Sequence, residues 1–135
     1  MPSGEVVSTW GGVIKGFKGK GSQAEAWVRQ VRARLAAIHA AMRSLARETR
    51  AVPGHDFTLA VHARGRNSQL ALRWRLAGRP ARHVTWQAIA SRVDGLPPAL
   101  AQWYRRAHAA ALLLNHQEMA ARHELRLAER CTEEM

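Results

Sequence analysis

The chain has 135 residues and a formal net charge of +11 at pH 7, from 21 lysines and arginines against 10 aspartates and glutamates. This length suits one domain, and 47% hydrophobic residues suffice for a packed core. No apolar run approaches the length of a membrane-spanning helix, and the first twelve residues lack the features of a secretory signal. The single cysteine, Cys131, excludes a disulfide framework and a cysteine-rich zinc module, so we expect a cytoplasmic protein.

The excess of positive charge points to a polyanionic partner. Eighteen of the 21 basic residues are arginine, whose planar guanidinium pairs with phosphates and base edges. A GC-rich genome also favours arginine over lysine, but it does not account for the net charge. Nucleic acid, with DNA favoured, is therefore the expected partner, and no membrane association is expected.

Residues 1–21 are predicted to form a basic arm rich in glycine and lysine. Its three lysines, Lys15, Lys18 and Lys20, alternate with glycines just before a predicted helix, where backbone N–H groups and positive charge favour anions. A flexible basic arm is the alternative interpretation. The segment does not match a Walker A loop, and it is too generic to indicate a dinucleotide site.

A long helix is predicted at about 22–50. Ser22 and Glu25 have the spacing of a capping box, and Pro53-Gly54 ends the pattern. Apolar residues at spacings of three and four predict one buried face. They are Val28, Val31, Leu35, Ile38, Met42 and Leu45.

The middle of the chain predicts a small antiparallel sheet, because 56–62 and 69–76 alternate in hydropathy around a turn at 63–68. A third strand is expected near 83–86, a short helix at 86–93 and a last helix at 98–129. The apolar face predicted for that helix comprises Leu100, Trp103, Ala107, Ala110, Leu114, Ala121 and Leu125. The fold class is α+β: two long helices packed with a hairpin or three-stranded meander, as one domain over 22–130 with a tail at 131–135.

The first long helix carries a second, basic stripe beside its apolar face. At 100° per residue one sector contains Arg29, Arg32, His39, Arg43, Arg47 and Arg50. The helix rises about 31 Å from Arg29 to Arg50, close to one turn of B-DNA. The stripe is either a phosphate-binding face or a solvated surface, and its single sign of charge favours the former.

Arg73-Trp74-Arg75 lies on the second predicted strand, so Arg73 and Arg75 share one face and Trp74 lies on the other. The two arginines are expected as secondary nucleic-acid contacts, with Trp74 either stacking on bases or packing in the core. We expect Trp27, Trp86 and Trp103 in the core.

Neither a metal site nor a catalytic site is predicted. His108, His116 and His123 on the last helix lack the i, i+4 spacing of a zinc-binding pair, and no cysteine pair assists them. The ten acidic residues form no motif, and Cys131 has no evident base nearby. We therefore expect no cofactor and no enzymatic activity.

Several strings occur together in one order: Gly-Phe-Lys-Gly-Lys-Gly at 16–21, Leu-Arg-Trp-Arg at 72–75, Trp86, and Leu-Leu-Asn-His-Gln at 113–117. Over about residues 12–128 the chain resembles a bacterial family of unknown function associated with integrative and conjugative elements, some members of which are labelled integrase regulator R. The chain is shorter than this family at the N-terminus and has Gly16 where the family has proline. The resemblance implies a regulatory or DNA-processing role in a mobile element and supplies no catalytic residues.

The leading hypothesis is a non-enzymatic DNA-binding regulator of a mobile element. The alternative is an adaptor that docks an acidic protein tail, such as that of a single-stranded-DNA-binding protein. A DNA-binding protein should spread its basic surface over about 25–30 Å. An adaptor should have a compact basic pocket beside exposed apolar residues. The sequence leaves a homodimer open.

Overall fold

The computed structural model describes residues 20–54, 57–65, 68–77 and 82–135. The three strands form one antiparallel sheet in the order β1-β2-β3, which confirms the α+β class with a meander between two long helices. The elements in chain order are α1 (Lys20–Arg50), β1 (Phe57–Arg64), β2 (Gln69–Leu76), β3 (Arg82–Val84), α2 (Trp86–Asp94) and α3 (Pro98–Glu133).

Both long helices extend beyond their predicted ends. Helix α1 begins at Lys20, so Ser22 lies inside it and is not its N-cap residue, and Lys20 belongs to the helix rather than to an arm. Helix α3 continues to Glu133, so most of the predicted tail is helical. Lys15 and Lys18, with the rest of the predicted arm up to residue 19, lie outside the described residues.

The third strand is shorter than predicted because Thr85 begins the next helix. Thr85 has extended backbone geometry, and its hydroxyl accepts the Ala88 N–H at 3.3 Å as the N-cap of α2. The chain therefore leaves β3 after three residues and enters α2.

At the turn between β1 and β2, Gly65 has a φ of 65°, a left-handed conformation that glycine adopts without steric cost.

The chain divides into two compact units. The first unit has only helical segments among its described residues, 20–34 of α1 and 123–135 at the end of α3. Val28, Val31, Leu125 and Ala128 are its main buried apolar side chains. Its interior is reinforced by Trp27, whose indole N–H donates to Glu124 at 2.8 Å.

The second unit, Leu35–Arg122, contains the sheet and α2. Leu59 lies opposite Trp74 in the β1–β2 register, and both are almost fully buried. The same sheet face contacts α3, where the Tyr104 ring lies 4.9 Å from Phe57 and 6.2 Å from Trp74 between centroids. This aromatic cluster is the centre of the unit's core.

The buried face of α3 differs in part from the prediction. Ala107, Ala121 and Leu125 are buried as expected, whereas Leu100 and Trp103 are only partly buried. The buried residues at that end of the helix are instead Ala101 and Tyr104. Packing of the Tyr104 ring against the aromatic residues of the sheet thus determines which face of α3 is buried here. The buried positions are each one residue later in the chain than hydropathy alone predicted.

Candidate nucleic-acid interface

The five arginines predicted to bind phosphates on α1 are all exposed. This follows from the amphipathic pattern, since each lies away from the buried positions of the helix. Exposure alone does not distinguish a binding face from a solvated one. The distinction depends on whether each arginine already has a carboxylate partner.

In the first unit, acidic residues of α3 pair with two of the three arginines of α1, and the third, Arg29, has no carboxylate within 4.0 Å in the described chain. Arg32 lies 3.0 Å from Glu129, and Arg34 lies 2.7 Å from Glu124. The hydrogen bonds from Arg34 and Trp27 lower the pKa of Glu124, so this carboxylate remains ionised and paired. Arg32 was predicted to bind phosphate, but in the structure it is already paired with Glu129 and would have to leave that carboxylate first.

In the second unit, Arg43, Arg47 and Arg50 have no such partners. Within the described ranges no carboxylate lies within 4.0 Å of any of the three. They recur at spacings of four and three residues, on successive turns of one helix face. Within the predicted stripe, Arg32 and His39 therefore contact carboxylates, whereas Arg29, Arg43, Arg47 and Arg50 do not in the described chain.

His39 was predicted to belong to this stripe, and that interpretation is wrong. Its Nε2 atom lies 2.9 Å from Glu118, whose side chain is completely buried. Glu118 also accepts from Arg122 at 2.9 Å and from the Leu70 N–H at 3.1 Å. Burial alone would raise the pKa of Glu118, but these hydrogen bonds hold it below the usual glutamate value.

The position of Glu118 follows from the short third strand. Because β3 pairs only with Trp74–Leu76, the edge of β2 at Leu70 and Leu72 has no neighbouring strand. Asn115 takes the place of a strand there, accepting the Leu72 N–H at 2.7 Å and donating to the Leu72 carbonyl at 3.0 Å. Glu118 satisfies the next N–H along, at Leu70. Sequence analysis missed this role, although Asn115 and Glu118 lie three residues apart on one helix face.

The two arginines of β2 lie where the alternation predicted. Arg73 pairs with Ala60, and Arg75 lies between Thr58 and His83, all on the face opposite Trp74. Trp74 is 4% exposed, so it is a core residue and does not stack on bases. Both arginines are partly buried, and neither pairs with a carboxylate in the described part of the chain.

Two histidines complete this outer sheet face. The rings of His62 and His83 lie 5.2 Å apart between centroids, close to perpendicular. Burial is the main cause of the lowered pKa of His83, and the nearby charges of Arg73 and Arg75 lower it further. Both effects favour the neutral form of this ring.

His108 has a structural role. Its Nδ1 atom accepts the Trp74 indole N–H at 3.0 Å, and its ring stacks on Trp86 at 4.3 Å with an interplanar angle of 7°. Burial lowers the pKa of His108, which favours the neutral form that this hydrogen bond requires. Beside it lies a cavity of about 300 Å³ whose lining includes Arg73, His83 and Leu112.

The described residues contain no group of three or more His, Cys, Asp or Glu side chains arranged to hold a metal ion. None of the helices found there is long and apolar enough to cross a bilayer. The chain matches no family model, no curated protein and no solved structure. The resemblance to the mobile-element family therefore stays a prediction.

Proposed function

We propose that the chain is a non-enzymatic nucleic-acid-binding protein, with DNA favoured, that holds phosphates with Arg43, Arg47 and Arg50. One observation carries the proposal: these three exposed arginines share a helix face with no carboxylate partner within 4.0 Å in the described chain. The face spans about 10 Å along the helix, shorter than the expected length of about 25–30 Å, so it covers only part of one turn of duplex DNA. It belongs to a unit with thirteen arginines and four acidic residues, a net charge of +9.

An unpaired arginine binds phosphate without first losing an ion pair. Its guanidinium donates two parallel hydrogen bonds to phosphate oxygens, and binding releases counterions from the nucleic acid. Arg32 would have to leave Glu129 to do the same. Such contacts position a protein on nucleic acid without reading its sequence. A cytoplasmic regulator of a mobile element is the fuller proposal, and that part depends on the family resemblance.

The experiment compares two triple variants by fluorescence anisotropy over a range of salt concentrations. R43Q/R47Q/R50Q removes the unpaired arginines, and R32Q/R34Q/R105Q removes three that each pair with a carboxylate. Both lose three positive charges and keep high helix propensity. On duplex DNA the first variant should lower the magnitude of the slope of log affinity against log salt by about 0.9 per lost contact, or about 2.7 in total.

The second triple variant is the matched control and should lower the slope by clearly less. Equal losses in both variants would show that only net charge matters and would contradict a phosphate site on this part of α1. Absence of binding by the unaltered protein at about 50 mM salt would contradict nucleic-acid binding altogether.

An adaptor function is the second candidate, favoured by the cavity beside His108. Its lining includes Leu112, which is 46% exposed, while Arg73 and His83 line it from strands whose basic side chains lie on the opposite face of the sheet. The exposed leucine suits the apolar end of an acidic peptide, and the net charge of +9 of this unit suits its acidic stretch. Calorimetric titration with such a peptide should give binding that L112E abolishes, and binding unaffected by L112E would count against the cavity.

A further inference from the structure

The outer face of the sheet has a composition unlike the rest of the second unit. The three strands contain no acidic residue, and their outward positions carry small and basic side chains and one glutamine. No side-chain hydrogen bond or ring contact joins this face to a helix within the described residues. The outward residues are Thr58, Ala60, His62, Arg64, Gln69, Ala71, Arg73, Arg75 and His83.

Four of these residues form one basic group, defined here as the sheet-face cluster: His62, Arg73, Arg75 and His83. Arg73 and Arg75 lie two residues apart on β2, so their Cα atoms are about 7 Å apart. The two histidines come from β1 and β3, on either side of that strand. The cluster thus crosses all three strands, over a width of about 10 Å.

Two nitrogen atoms of this cluster lack hydrogen-bond partners. Arg75 Nε and His83 Nδ1 are both buried, and neither has a partner in the described structure. Buried polar groups are rarely left unsatisfied, because the lost hydrogen bonds to water are costly. These two atoms are inaccessible from the surface, so the accessible parts of the two arginines and the absence of acidic side chains on the strands are what suit the cluster to an anionic ligand.

We propose that the sheet-face cluster binds single-stranded nucleic acid, with Arg73 and Arg75 on the phosphates and the rings of His62 and His83 against unpaired bases. This inference rests on the proposed function and adds that the sheet binds the single-stranded class of nucleic acid. Histidine rings and arginine planes are surfaces on which unpaired bases stack. Ala60 is small and partly exposed, so a base can approach the sheet closely at this position.

A single strand fits this face better than a duplex because the cluster lies close to the sheet. Its four members are all partly buried, whereas Arg43, Arg47 and Arg50 are exposed on their helix. Paired bases present only their edges in the grooves, so a histidine ring cannot lie on their faces. Splayed bases of a single strand reach a sheet surface directly.

The first test compares single-stranded DNA, single-stranded RNA and duplex DNA on matched double variants. R73Q/R75Q and R43Q/R47Q lose the same charge. R73Q/R75Q should weaken single-strand binding about tenfold or more and duplex binding by less than about threefold. R43Q/R47Q should weaken both. An equal loss of the two kinds of binding in R73Q/R75Q, or no loss, would overturn the inference.

The second test uses H62A/H83A, which removes both rings and leaves Arg73 and Arg75 in place. It should weaken single-strand binding about fivefold or more, because stacking does not depend on charge. Unchanged single-strand binding would overturn the role of the rings. Thermal unfolding of each variant shows whether a loss of binding comes from a loss of folding.

A third measurement needs no variant. In the unaltered protein, adding a short single strand should shift the NMR signals of the His62 and His83 rings, whereas His116 and His123, exposed on α3, should stay in place. Absence of shifts at His62 and His83 would overturn the inference even if duplex DNA binds through α1. Failure of every nucleic acid to bind would instead refute the proposed function itself.

Discussion

The two compact units differ in net charge and in how the arginines of α1 are paired. The first unit has eight basic and six acidic residues, a net charge of +2, and α3 carboxylates pair with Arg32 and Arg34. The second unit has a net charge of +9, and its one fully buried carboxylate, Glu118, is already bonded to Arg122, His39 and the sheet edge. The positive charge of the chain is therefore concentrated in the unit that contains the sheet.

This difference shows that arginine content alone does not define a binding surface. An arginine beside a carboxylate is partly neutralised and held in place, which contributes modestly to stability at an exposed site. An arginine without such a partner keeps its full charge for an external anion. The distribution of the few acidic residues thus decides which arginines are available.

The largest expected effect is the loss of Glu118. Glu118→Ala should lower the free energy of unfolding by about 3–5 kcal/mol, because it removes the buried acceptor shared by Arg122, His39 and the Leu70 N–H at the edge of β2. Urea denaturation measures this, with E48A as the control, since Glu48 is exposed on α1 of the same unit. If E118A unfolds like E48A, Glu118 does not tie α3 to the sheet.

The same variant has an expected pH dependence. The pKa of Glu118 is lowered in the folded protein, so its stabilisation is fully present above the ordinary glutamate pKa of 4.5 and is lost as the pH falls through the folded value. The difference in stability between the unaltered protein and E118A should therefore shrink below about pH 4.5. A constant difference down to strongly acidic pH would contradict the assignment.

A smaller effect is expected at His108. Its pKa is lowered in the folded state, so the stability it contributes is present above the ordinary histidine pKa of 6.5 and is lost as the pH falls below it. Protonation would place an N–H against the Trp74 indole N–H, at a cost of about 1 kcal/mol for the lost hydrogen bond. H108N keeps an acceptor at this position and should weaken the dependence of stability on pH between about pH 7.5 and 5, leaving the part that comes from His83, whose pKa is also lowered. If the stability of H108N depends on pH as steeply as that of the unaltered protein, a group other than His108 causes the dependence.

Local patterns predicted the elements well but not the ion pairs. The apolar spacing in α1, the alternation in β1 and β2 and Pro97-Pro98 before α3 each depend on neighbours in sequence, and the structure has these elements. Arg32 and Glu129 are 97 residues apart, and His39 and Glu118 are 79 apart. A helical wheel places Arg32 and His39 in the same sector as Arg43, yet tertiary contacts give them different partners. The arginines without a carboxylate partner can therefore be identified only from the tertiary structure.

The smallest expected effect tests the contrast between the units directly. E124Q/E129Q removes the charges that hold Arg34 and Arg32, so the first unit becomes more like the second. Stability should change little, since these pairs are largely exposed. Duplex DNA should bind about two- to fivefold more tightly, and the magnitude of the salt slope should rise by up to about 0.9 for each arginine that gains a phosphate. The control is E133Q/E134Q, which gives the same change in net charge from exposed acids at the end of α3. A rise in the magnitude of the slope only in E124Q/E129Q would show that ion pairing keeps these arginines from phosphate. Equal changes in both variants would show instead that the two units differ only in net charge.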